Sequence, residues 1–212
     1  MLAAELLRQG LLEGASVLVA GTAEPVAPFG AAVREVCTEL GARVHLCAPD
    51  VADETIVDEL VTAAVAETGG LDLLVVDGAG LFVHALTQGG TSHAALRACL
   101  DATWNVTRAV VNRAFLPTES SSGKTSPGGS GGQKIVYLAP APDAGAHAEA
   151  ARAGLENLAR TLSVEWARHG IAVVAIAPGT QTTAGEVAAL TTYLASPAGA
   201  YFSGCLLDLR GV

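Results

Sequence analysis

The chain has 212 residues, half of them apolar, 16% charged and 4% aromatic, with a formal net charge of −9. That length suits one domain over 1–212 with a self-sufficient core, and hydrophobicity this high excludes a disordered chain. With 12 basic residues against 21 acidic ones, neither nucleic acid nor an anionic membrane is expected as a partner, since both need clustered Lys and Arg.

Apolar runs alternate with helical patterns along the chain. Ser16–Gly21 reads as a short buried strand, Phe29–Leu40 as a helix stopped by Gly41, and Arg43–Ala48 as a second strand. Asp53–Glu67 follows as a helix, Leu71–Val76 as a strand, and Asp77–Gly80 as a turn. Thr91–Phe115 is a long helix, Lys134–Ala139 a strand, His147–His169 a second long helix closed by Gly170, and Ile171–Ala177 a strand. Gly185–Ala195 and Cys205–Leu209 close the series as a helix and a strand. Strands apolar on both faces and separated by helices imply a parallel sheet covered on both sides. The expected architecture is a doubly wound α/β fold.

Residues 119–133 break the pattern as a polar Ser/Gly loop, expected to be flexible. Its Gly123-Lys124-Thr125 lacks the earlier glycine of a phosphate loop, Thr118 standing there, and the segment follows a helix and precedes a strand. Cys37, Cys47, Cys99 and Cys205 show no metal-site spacing and read as small hydrophobes in a reducing compartment. No run approaches the ~18 apolar residues of a membrane span, and Glu5, Arg8 and Glu13 interrupt the leucines at the start. A cytoplasmic protein is expected.

Seven segments follow one another in order from about residue 15 onward: Val17–Gly21, Leu71–Gly80, Trp104–Ala109, Lys134–Tyr137, Arg152–Leu155, Gly170–Gly179 and Tyr193–Pro197 with Phe202–Gly204. As an ordered set they resemble the short-chain dehydrogenase/reductase family. The resemblance implies a Rossmann-type sheet that binds a nicotinamide cofactor at the strand C-termini. It also implies a Tyr-x-x-x-Lys pair in which Lys lowers the Tyr pKa, a Ser that polarises the carbonyl, and an Asn that holds a relay water. At those four places this chain carries Ala148, Arg152, Pro140 and Cys99. Register cannot restore the pair, because no Tyr or Lys stands between residues 141 and 168. Arg does not replace Lys as a relay, since it does not release its proton.

The implied cofactor site is altered too. Gly21 and Gly30 match the first and last fingerprint glycines with three extra residues between them, and Pro28 takes the middle place. Pro25 stiffens the loop and Glu24 adds negative charge beside it; Ala48 stands where the family's ribose-gripping acid belongs, with Asp50 nearby. Asp77–Gly80 replaces the family's Asn-Asn-Ala-Gly turn, and Thr183 matches a Thr that contacts the carboxamide. Gly21, Gly30, Gly80 and Thr183 are thus a vestigial cofactor set, with no metal site expected. Two segments are short: one strand fits between Gly41 and Asp53, so six strands are expected with an edge strand missing. Only Thr180–Thr183 remain for the substrate lid.

Replacement groups have plain readings. His147 and Glu149 suit a helix start, and His84 suits a surface or interface position. Arg152 and Arg160, with Glu149, Glu156 and Glu165, suit an exposed ion-paired face or an interface. Cys99 suits packing, with Arg97 off its face. These readings favour a catalytically inactive subunit without a cofactor of its own. It would pair with an active short-chain dehydrogenase/reductase chain through residues 91–115, residues 147–169 and the C-terminal strand, in a hetero-oligomer acting on a hydroxyacyl or ketoacyl substrate. The alternatives are a divergent NAD(P)-dependent oxidoreductase and a ligand-sensing or scaffold protein.

Overall fold

A computed structural model describes residues 10–22, 28–48, 54–116 and 132–210. Among these residues six parallel strands form one sheet in the order β2-β1-β3-β4-β5-β6. They are β1 (Ser16–Ala20), β2 (Arg43–Cys47), β3 (Leu73–Val76), β4 (Lys134–Leu138), β5 (Ala172–Ala177) and β6 (Cys205–Asp208). Every residue of β1, β3 and β4 is buried, as continuous apolar runs require when both faces of a sheet are covered. The six-strand sheet agrees with the count expected from the short 41–53 segment.

The helices are α1 (Pro28–Glu39), α2 (Glu54–Thr68), α3 (Gly78–Thr87), α4 (Ser92–Val110), α5 (Ala148–Trp166) and α6 (Ala184–Ala195). One face of the sheet packs on α2, α4 and α5 through Val57, Val61, Val106, Leu155 and Leu162. The other packs on α1 and α6 through Phe29, Val33, Val187 and Leu194. Ion pairs of Arg108 with Glu54 and of Arg113 with Asp58 tie α4 and the π-helical turn after it (Val111–Phe115) to α2.

One expected element is corrected. Asp77–Gly80 is not a free turn but the start of α3, with the Asp77 side chain accepting from the Gly80 N–H as N-cap. Its glycines hid the helix, because Gly is a poor helix former except where close packing demands it. A Cβ on Gly78 would stand 3.0 Å from the Leu138 carbonyl oxygen and 3.1 Å from both Cys99 Sγ and a Leu155 methyl. The long helices also end earlier than the sequence pattern suggested, α5 passing into a 3-10 turn over Ala167–His169.

Glu24, Pro25, Asp50 and residues 119–131 of the Ser/Gly segment, including Gly123-Lys124-Thr125, lie outside the described residues. No helix among the described residues is long and apolar enough to cross a membrane.

Candidate functional site

The chain winds from β1 outward to β2 on one side and from β3 to β4 on the other. The C-terminal ends of β1 and β3 therefore flank the topological switch point, where open α/β sheets bind ligands. Gly21 follows β1 there and Asp77 follows β3.

Asp77 closes two helices with one carboxylate. Oδ2 accepts from the Gly30 N–H of α1 at 3.0 Å, and Oδ1 accepts from the Gly80 N–H of α3 at 2.9 Å. Both donors belong to first helical turns, whose N–H groups have no partner within the helix. The packing explains the glycines: a Cβ on Gly30 or Gly80 would sit 2.8 Å from Oδ2, and one on Gly21 would sit 3.1 Å from Asp77 Cβ. Burial pushes the Asp77 pKa up to about 6, against the lowering effect of the two backbone N–H groups. The fingerprint glycines Gly21, Gly30 and Gly80 are thus brought together, but around a carboxylate of the chain itself.

A cleft of about 160 Å³ opens above this floor, lined by Gly21, Thr22, Gly30, Arg34, Leu46, Ala48 and Asp77 among others. Drug-sized ligands generally occupy roughly 300–1,000 Å³. Arg34 is exposed at the cleft and Ala48 brings no acid to it. Arg34 was not among the residues singled out from the sequence. Its signal was its place on α1 one turn after Gly30, facing the end of β2.

The place of the implied catalytic pair looks different from its expected form. Arg152 is not on an exposed face: it is 3% exposed, and its Nη1 donates to the Pro140 carbonyl at 2.8 Å and the Pro178 carbonyl at 2.7 Å. Those carbonyls lie just past the C-terminal ends of β4 and β5, so the guanidinium clasps the two strands where the site should open. Nη2 makes no hydrogen bond but lies 3.6 Å from Asp208 Oδ1, and Nε lies 3.7 Å from Glu149 Oε2. Burial works against the Arg152 charge and Glu149 supports it. Helical spacing from the other charged residues could not reveal this, because depth depends on what packs over the start of α5.

The remaining candidates are placed as follows. Ala148 and Pro140 are buried, and Cys99 is fully buried with its thiol pushed up to about 12 by burial and by the Asp77 charge. His147 is exposed and adopts a left-handed conformation (φ 70°) just before α5. Thr183 caps α6: its hydroxyl accepts from the Glu186 N–H at 3.2 Å and donates to Glu186 Oε2 at 2.8 Å. His84 is half-buried on α3, with Nδ1 buried and unpartnered. Arg97 pairs with Asp101 in the open, and Arg160 pairs with Glu156. The link from β5 to α6 is a short turn in which the Gly179 N–H donates to Thr182 Oγ1 at 2.8 Å, with no lid helix. Among the described residues no cluster of His, Cys, Asp and Glu could hold a metal ion.

A family model described as enoyl-(acyl carrier protein) reductase matches residues 3–185. The fold superposes on the citronellol catabolism dehydrogenase of Pseudomonas aeruginosa PAO1 with a TM-score of 0.71 at 25% identity, covering 96% of each chain. A hydroxysteroid dehydrogenase from Escherichia coli gives a TM-score of 0.72 at 18% identity, over 96% of this chain and 98% of that one. A short chain dehydrogenase from Mycobacterium smegmatis gives 0.71 at 22% identity, over 98% of both.

Proposed function

From the premise that this chain belongs to the short-chain dehydrogenase/reductase family of oxidoreductases, we propose that it is a non-catalytic member of that family. On this reading it assembles with an active chain of the same family. The observation that carries the proposal is the Arg152 clasp. A proton relay at this position needs a group that can shift a proton to a phenol. The chain instead puts there a cation that keeps its proton and donates to two backbone carbonyls.

The neighbouring positions support the same reading. Ala148 has no ionisable group, Pro140 has no hydroxyl, and Cys99 is buried against Gly78. General acid–base help contributes roughly 10²–10⁴ in rate, so its joint loss with the lid removes useful turnover. A dinucleotide set for hydride transfer does not fit the residues present. The Gly30 N–H that would meet its phosphates is engaged by Asp77, and a carboxylate beneath the phosphates opposes their charge. On this reading the chain takes no cofactor by itself.

The partner would dock on α4, α5 and the β6 region, where Trp104 is 41% and Val164 78% exposed. Its substrate class is hydroxyacyl or ketoacyl, in keeping with the acyl chemistry named in the matching family description. Co-purification from the native host tests the assembly: an active homologue carrying Tyr-x-x-x-Lys should be recovered with the chain. Recovery of the chain alone, together with carbonyl reduction by the isolated protein, would overturn the proposal.

A second reading, a divergent NAD(P)-dependent oxidoreductase, is favoured by the Arg34 cleft. There a cation and Ala48 stand where an acid would grip an adenosine ribose. Calorimetry with each cofactor separates the two readings. Tight binding, stronger for NADPH than for NADH, supports the second, and no heat at millimolar cofactor supports the first.

A further inference from the structure

Among the described residues β2 is an outer strand of the sheet, with β1 as its one strand partner. The Arg43 N–H donates to the Ala15 carbonyl, and the Cys47 carbonyl accepts from the Gly21 N–H. In a parallel pair, alternate residues turn their backbone groups to the same neighbour. Arg43, His45 and Cys47 therefore face β1, and the N–H and C=O groups of Val44 and Leu46 point out of the sheet.

Natural edges are usually guarded by charge, proline or a bulge. Here the polar side chains are drawn back onto their own molecule. The Arg43 guanidinium donates to Ser16 Oγ at 3.0 Å, and His45 Nδ1 lies 3.5 Å from Glu67. Beyond Arg43, which stays exposed at the start of the strand, the edge presents half-buried Val44 and Leu46, the latter 60% exposed. The opposite outer strand is different: β6 ends on Asp208, which pairs with Arg210.

We propose that the outer edge of β2 pairs antiparallel with β2 of a second copy of this chain, about a two-fold axis at His45. This register is self-complementary. Val44 lies opposite Leu46 of the second copy and Leu46 opposite its Val44, each pair exchanging both backbone hydrogen bonds. All four outward N–H and C=O groups on each side are then satisfied. Both pairs join apolar side chains on one face of the extended sheet, the arrangement that stabilises neighbouring strands. The contact uses neither the Arg152 clasp nor the α4 and α5 faces, so it stands apart from the heteromeric assembly proposed above. A single strand pair of five residues falls short of the ~1,200 Å² of a stable interface, so the dimer forms as concentration rises.

The central His45 residues form a non-hydrogen-bonded pair, with Cα atoms about 4.5 Å apart, within the span of a disulfide. Under mild oxidation the full-length His45→Cys protein should give a cross-linked dimer on a non-reducing gel. Adding Leu46→Lys should abolish the cross-link. In parallel, sedimentation of the unaltered protein should show mass rising with concentration, and Leu46→Lys alone should flatten that rise while leaving the melting curve in place. Absence of the His45→Cys dimer, a cross-link that persists with Leu46→Lys, or a mass series unaffected by Leu46→Lys would overturn the proposal.

Discussion

Arg152 and Asp77 are the two buried charges that define the switch-point end of the sheet, and each has a measurable consequence. Replacing Arg152 by Ala leaves the Pro140 and Pro178 carbonyls without their donor in a buried setting. The expected cost is about 2–4 kcal/mol by urea unfolding. A change below about 1 kcal/mol would mean that the clasp is dispensable. Asp77 links stability to pH. Burial raises its pKa from 3.8 to about 6, so the folded chain holds this proton more tightly than the unfolded one. Its stabilising contribution is complete below the unfolded value and is lost as pH rises through about 6. Relative to Asp77→Asn, the unaltered protein should gain about 2–3 kcal/mol between about pH 8 and about pH 4. A flat difference across that range would contradict the buried carboxylate. The identities at these positions were plain from residue order alone. The depth of Arg152 and the convergence of Gly21, Gly30 and Gly80 on one carboxylate were not, since they join residues from separate segments.

The elements show where periodicity is informative. Strands such as Ile135–Leu138 and Val173–Ala177 are apolar throughout, and helices such as α5 alternate buried Leu155, Ala159 and Leu162 with charged residues. Both patterns follow from local geometry and were legible. α3 was not, because Gly78 and Gly80 at its start imitate a turn. Its real constraint is close approach: Gly78 lets α3, α4, α5 and the end of β4 meet. Gly78→Ala should therefore destabilise the fold by about 1–3 kcal/mol despite the better helix propensity of Ala. Thermal unfolding would measure this, and a stabilised variant would show that the junction has slack.

For the molecule as a whole, the free thiols report on its integrity. Cys37, Cys47 and Cys99 are buried and Cys205 is half-buried. Burial pushes the thiols of Cys37 and Cys99 up to about 12 and that of Cys47 up to about 11. Thiolates are the reactive form. A thiol reagent should modify Cys205 first in native buffer and reach the other three only on unfolding. Rapid native labelling of Cys99 would instead reveal an open site beside Asp77.

Residue order by itself determined the doubly wound sheet, the short β2 side, the short link in place of a lid, and the absence of any Tyr or Lys between residues 141 and 168. Those features follow from side-chain chemistry and from spacing along the backbone. Only the tertiary structure decided that Arg152 is a buried clasp, that Asp77 caps two helices at once, and that Leu46 is exposed on an outer strand at the rim of the cleft. Burial, desolvation and edge exposure are properties of what packs against a residue from distant parts of the chain, and no local pattern records them.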